Sequence, residues 1–293
     1  MTSLSIEGRP VVRILEAPPE HWVGDGFRVR SVIAPGGDPS LQSPFLLLDH
    51  APRRHFAPAA QPRGVGAHPH RGFETVTFAY HGEIEHRDST GAGGVIGKGD
   101  VQWMTAAGGL VHDEFHSRAF TAQGGELEMV QLWVNLPAKH KLDPPRYQAL
   151  LDAQFPRLDL GPAQARLIAG SLMGRQGPAQ TYTPITLFDL TFAATQPCHF
   201  ELPLGHTAMA LTLEGEVRVG PQAQHVIAGH MAVFEPQHAG AIVLDGAAGA
   251  RVLVLAGEPI REPVAAYGPF VMNTRAELMQ AIQDFQDGKM GQL

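Results

Sequence analysis

Cysteine is almost missing from this chain. A single one, Cys198, in 293 residues excludes an intramolecular disulfide and any CxxC zinc or redox motif. Positive charge is also short. Lys and Arg total 22 against 29 Asp and Glu, a formal net charge of -7, which argues against direct nucleic-acid binding. No uninterrupted apolar run approaches the ~20 residues of a membrane helix. The opening "MTSLSIEGRPVVRILEAPPEH" has no basic stretch leading into an apolar one, as a secretory leader would. These absences point to a cytoplasmic protein with no membrane partner.

Glycine (33), proline (24) and histidine (15) are plentiful. Glycine and proline without a short period favour a turn-rich, mostly β chain, and the length suits two domains. Histidine is the commonest metal ligand, and its excess is concentrated between His50 and His116.

Short strand patterns separated by Gly and Pro turns run through most of the chain. "GFETVTFAYHGEIEHRDS" (72–89) predicts a hairpin turning at His81-Gly82. "GGVIGKGDVQWMTAAGG" (93–109) carries a Gly-Asp turn, and "GGELEMVQLWVNLP" (124–137) predicts a strand buried on both faces. A proline-studded stretch over 138–180 reads as a linker. Strand signals then resume in "ITLFDLTFAA", "AMALTLEGEVRVG", "HMAVFEPQHAG" and "ARVLVLAGEP". "YHGEIEH" (80–86) resembles "LEGEVRV" (213–219), and "IGKGDVQWM" (96–104) resembles "IAGHMAVFE" (227–235), both at offsets near 130. That repeat indicates a duplicated β unit. "TRAELMQAIQDF" (274–285) has Thr274 and Glu277 in capping-box spacing, followed by Leu278, Ile282 and Phe285 on one face, and predicts a helix docked on the β body.

The chemistry gathers in two places. In "VGAHPHRGFETVTF" (65–78), His68 and His70 are i and i+2, on one strand face ~6.6 Å apart at the backbone. Pro69 places this strand at an edge or near its start. In "AAGGLVHDEFHS" (106–117), His112 and Glu114 stand in the same relation, with His116 one step further out. A β sheet that brings the pairs together closes a set of three histidines and one carboxylate. Such nitrogen and oxygen donors suit Fe(II), Mn(II), Ni(II), Cu(II) or Zn(II). The alternative is a His-rich turn without a metal. Glu74, four residues after His70, has the parity to share the face, as a ligand or as an acceptor supporting one.

The run "HPHRGFETVTF", then "GDVQWMTAAGGLVHDE" and "QLWVNLP", resembles the pirin family of the cupin superfamily, as do "PFLLLDH" (44–50) and "GPFVMNTRAELMQAIQDFQDGKMG" (268–291). The resemblance implies an all-β fold of two cupin (jelly-roll) barrels with a short C-terminal helix. The expected division is a metal-binding barrel over 1–137, a linker over 138–180, and a metal-free barrel with the helix over 181–293. It also implies iron, most simply Fe(II), held by His68, His70, His112 and Glu114, with Glu114 rather than Glu74 as the carboxylate. The second unit shows no such set, and His206, His225, His230 and His238 read as ordinary histidines. The Gly-rich 91–99 opens no helix and is not read as a phosphate loop. Trp103 and Trp133 read as core, His81 and His86 as exposed hairpin residues, and Cys198 as unreactive.

Two functions follow from the resemblance. One is a quercetin 2,3-dioxygenase-like oxidoreductase that uses O2 to open the ring of a flavonol or similar enolisable aromatic with loss of carbon monoxide, Glu114 taking the hydroxyl proton. The other is a metal-dependent, redox-sensing regulator that binds a transcription factor or metabolic enzyme as its protein partner. A scaffold that retains ligands without turnover is a third reading, and a monomer is expected in each.

Overall fold

The computed structural model describes residues 8–293; the first seven residues of the opening stretch lie outside them. The fold is 52% strand and 10% helix, with two cupin domains and a C-terminal helix. Among the described residues no helix is long and apolar enough to cross a membrane.

The chain forms two compact units. One comprises Pro19–Gly37, Pro44–Ala153 and Ile260–Leu293; the other comprises residues 8–18, Asp38–Ser43 and Gln154–Pro259. In the first, a seven-stranded antiparallel sheet runs in the order Arg146–Leu150, Val101–Thr105, Phe73–His81, Gly125–Asn135, Phe45–Phe56, Phe27–Ile33, His21–Val23. A four-stranded sheet runs Gly64–His70, Leu110–His116, Ile84–Asp88, Gly93–Ile96. Buried side chains from both sheets, among them Phe27, Ala79, Ile84, Ile96 and Met129, form a shared core. Gly125–Asn135 lies at the sheet centre, which is why its apolar run is nearly continuous.

The second unit repeats this plan. Its seven-stranded sheet places Met231–Phe234, Thr207–Glu214, Arg251–Gly257 and Ile185–Phe192 in the same sequence, and its four-stranded sheet is Gln196–Phe200, Ile242–Gly246, Glu216–Val219, Gln224–Ile227. The sequence repeat marks the shared corners. Gly82 and Gly215 turn with φ of 78° and 76°, and Gly99 and Gly229 with 92° and 85°, a backbone region open to glycine at no steric cost.

Two expectations change. The His81-Gly82 turn is real, but it joins different sheets rather than closing a hairpin: Phe73–His81 pairs with Val101–Thr105 and Gly125–Asn135, while Ile84–Asp88 pairs with Leu110–His116 and Gly93–Ile96. The compact units also cross the linear boundaries read from the sequence. Val11–Leu15 pairs with Met231–Phe234 in the second unit, Arg146–Leu150 edges the first sheet, and Ala163–Ala169 belongs to the second. Composition cannot show pairings between distant segments.

The C-terminal helix spans Arg275–Gln286 with both hydrogen bonds of the Thr274/Glu277 capping box formed. Leu278 and Ala281 are buried with Val111, Phe270, Met272 and Met290, whereas Phe285 stays 39% exposed. The helix is more than a cover. Arg71, the residue after His70, donates from Nη1 to Asp284 Oδ2 at 2.7 Å and from Nε to the Gly108 carbonyl at 2.7 Å. At Gly72 φ is 88°, and a Cβ there would lie 1.9 Å from the Val271 carbonyl oxygen. Glycine thus lets the Phe270–Met272 strand close against the end of the His68/His70 strand. We predict that Asp284→Ala, which strands the mostly buried Arg71 guanidinium, lowers thermal-unfolding stability by about 1–3 kcal/mol; an unchanged melting temperature counts against this clasp.

Candidate metal centre

Register brings the two halves of the histidine pattern together. Leu110–His116 pairs with Gly64–His70 so that His112 faces His68 and Leu110 faces His70. The imidazole centroids of His68, His70 and His112 lie 4.3–4.8 Å apart, and one ligand atom from each falls within 4.8 Å of the others. His112 and His70 are buried, and His68 is half-buried at the accessible side.

Each ring turns one nitrogen inward without a proton to spare. His68 donates from Nδ1 to the Gly66 carbonyl at 2.8 Å, which leaves Nε2 bare. The Pro269 backbone carbonyl holds the His70 ring, whose Nδ1 is buried and has no partner. His112 Nδ1 lies 3.2 Å from His86 Nδ1, and its Nε2 is buried and partnerless. Burial, then the neighbouring histidines, pushes His70 and His112 well below the ordinary histidine range. Neutral rings with inward lone pairs are what a cation requires. Orphaned buried nitrogens cost stability unless something binds them, so these residues fit a metal.

Glu114 is placed beside them. A register shift separates His112 from Glu114 along the Gly64–His70 edge, and the Glu114 carboxylate groups within 4.8 Å with His112 and His86. It is anchored at both oxygens. Gln131 Nε2 donates to Oε2 at 2.7 Å; Gln102 Nε2 and Thr77 Oγ1 donate to Oε1 at 3.1 and 3.3 Å. Gln102 in turn accepts from the Tyr147 hydroxyl at 3.2 Å, which fixes its amide orientation.

Glu74 is not in this group. Its Oε1 accepts from Thr105 Oγ1 at 2.6 Å, and it alternates with Thr75 and Thr77 along the strand, so it points to the sheet's other face. The turn at Arg71–Gly72 resets the parity that the sequence count from His70 assumed. Burial pushes the Glu74 carboxyl up from 4.5 to about 7. Between those values the folded chain holds a proton that the unfolded chain has released, so stability falls as pH rises through this window and levels above it. The span amounts to roughly 3 kcal/mol. Glu74→Gln should flatten the slope between pH 4.5 and 7 in denaturant unfolding of metal-free protein; an unchanged slope contradicts this source.

Two further side chains differ from expectation. His86 is buried, not exposed, and stacks on Tyr147 with centroids 5.1 Å apart and planes 13° from parallel. Trp133 is no core residue but a wall of the site, 5.2 Å from the His70 ring and 4.3 Å from Phe73. Trp103 is core, and His116 packs among Phe27, Phe56 and Phe120 with Nε2 donating to the Gly26 carbonyl. In the second unit the corresponding strands pair Cys198 with Leu244 and Phe200 with Ile242, all buried and apolar.

Two matching β sandwiches, one with a buried three-histidine cluster in its wall, define a double cupin with a candidate metal site in one barrel. Family profiles place both halves: the pirin domain matches residues 26–134 and the pirin C-terminal cupin domain residues 187–291. The chain belongs to the pirin family. A Pseudomonas aeruginosa protein provisionally named a quercetin 2,3-dioxygenase is 51% identical over 271 residues, covering 92% of this chain and 94% of the relative. Human pirin is 35% identical, covering 93% and 91%. The crystal structure of a quercetin 2,3-dioxygenase from Acinetobacter baumannii matches with a TM-score of 0.92 at 42% identity, covering 97% of this chain and 99% of that one.

Proposed function

We propose that this chain is a metal-dependent dioxygenase of the quercetin 2,3-dioxygenase type. The observation that carries the reading is the convergence of three bare ring nitrogens beside an anchored carboxylate, in a chain similar across its length to proteins of that name. His68, His70, His112 and Glu114 would hold one ion, Fe(II) first, with Mn(II), Ni(II), Cu(II) and Zn(II) also suited to these donors. When bound, the ion would supply Lewis acidity, and for Fe, Mn, Ni or Cu also redox capacity, toward O2 and an enolisable aromatic.

The chain's own residues do the rest. Glu114 accepts the 3-hydroxyl proton of the flavonol on a carboxylate oxygen, and Gln102, Gln131 and Thr77 hold it in place to do so. Trp133, half-buried beside His70, offers an aromatic face to a flat substrate. The net change is a flavonol plus O2 giving a ring-opened ester and carbon monoxide. Purified protein loaded in turn with Fe(II), Mn(II), Ni(II) or Cu(II) should bleach the quercetin absorbance under air with carbon monoxide released. Unchanged absorbance with every metal rejects the reading.

A further inference from the structure

The pairing of His86 with His112 decides where a proton sits. Their Nδ1 atoms lie 3.2 Å apart. Two bare nitrogens at that distance repel and two N–H groups collide, so one proton lies between them. The other side of His86 says whose it is. Its Nε2 is 3.2 Å from Asp88 Oδ2, while Asp88 Oδ1 accepts from Thr90 N at 2.8 Å, Thr90 Oγ1 at 2.6 Å and Ala92 N at 3.3 Å. A carboxylate holding three donors on one oxygen is kept ionised and only accepts at the other, so His86 Nε2 carries its ring's proton and His86 Nδ1 is bare. The shared proton therefore belongs to His112 Nδ1, and His112 Nε2 is left as a lone pair facing His68 and His70. Tyr147, stacked on His86, fixes the plane of that ring.

We infer that Asp88 and His86 are positioning residues that lock His112 in its metal-accepting tautomer. The inference rests on the reading of His68, His70 and His112 as ligands. It also resolves an overlap in the geometry. His86, His112 and Glu114 form a second possible ligand group sharing His112, but the His86 nitrogen nearest it already accepts a proton. His86 thus supports a ligand and is not one.

Asp88→Asn is the diagnostic change. The two backbone N–H groups and the Thr90 hydroxyl pin the amide oxygen at the Oδ1 position, so the NH2 must face His86 Nε2. His86 then takes its proton on Nδ1, and His112 is forced to carry its own on Nε2, the atom the metal needs. Asp88→Ala removes the constraint without reversing it. Zn(II), redox-inert, serves as the probe, measured by competition with a chelating dye. Affinity should fall in the order wild type, Asp88→Ala, Asp88→Asn, with the asparagine variant 10–100-fold weaker than wild type. A merely structural Asp88 gives the opposite order, because asparagine keeps the turn's bonds. Nitrogen NMR of the histidine rings in metal-free protein gives a second reading: His112 protonated on Nδ1 in wild type and on Nε2 in Asp88→Asn. Asparagine binding no weaker than alanine, or a wild-type His112 protonated on Nε2, overturns the relay. The spectrum is read without metal, so a wild type that bound no Zn(II) would sink the ligand reading alone and still leave the proton placement decided.

Discussion

His112→Ala should cost metal affinity about 10²–10³-fold while destabilising the metal-free protein less than an ordinary core truncation does. Four-ligand protein sites bind their ion with about 10–16 kcal/mol, and an even quarter of that is about 2.5–4 kcal/mol. His112 lies at the centre of the cluster, within reach of His68, His70 and His86. Alanine elsewhere in a core normally destabilises by opening a cavity. Here it also removes Nε2, a buried nitrogen with no partner in the metal-free state, which offsets part of that cost, although the His86 Nδ1 acceptor loses its donor. Metal titration and thermal unfolding of the apo protein together read both halves. A variant that unfolds several degrees lower but binds metal normally makes His112 an ordinary core residue.

Glu114→Gln should lower quercetin turnover by 10²–10⁴, the range lost with a positioned acid–base group, with the protein folded and still able to take up metal. Every observed partner of this carboxylate donates: Gln131 to one oxygen, Gln102 and Thr77 to the other. An amide must turn its NH2 toward one of them. Gln102 is held by Tyr147, so the adjustment falls on Gln131, whose amide can reverse. The side chain keeps its place and loses its charge. Turnover per bound metal separates this from simple metal loss, and a glutamine variant with wild-type turnover per metal removes Glu114 from the chemistry.

Much of the site was legible because strand geometry is local. His68 with His70, and His112 with Glu114, obey the two-residue period within single strands, so their shared faces followed from spacing. Glu74 did not, because the count from His70 ran through a glycine turn into a strand of another sheet. His86 was passed over for a related reason. "YHGEIEH" reads as a hairpin and hairpin tips are exposed, yet the corner carries Ile84, His86 and Asp88 into the buried face of the second sheet. The signal was present in that alternation, apolar Ile84 heading a row whose next two members are polar. Gln102, Gln131 and Tyr147 had no signal of their own, since what selects them is contact with Glu114 across strands far apart in sequence. The double-cupin class was legible from the repeat and the family motifs. The crossing of both termini into the opposite units was not, because edge pairing leaves no compositional trace.

The measurement that tests the central claim most directly is anaerobic titration of Fe(II) into metal-free protein, wild type against His68→Ala/His70→Ala/His112→Ala. One ion per wild-type chain, and none for a triple variant that still folds, is the predicted result. Equal uptake by the two proteins would place the metal elsewhere and contradict the account.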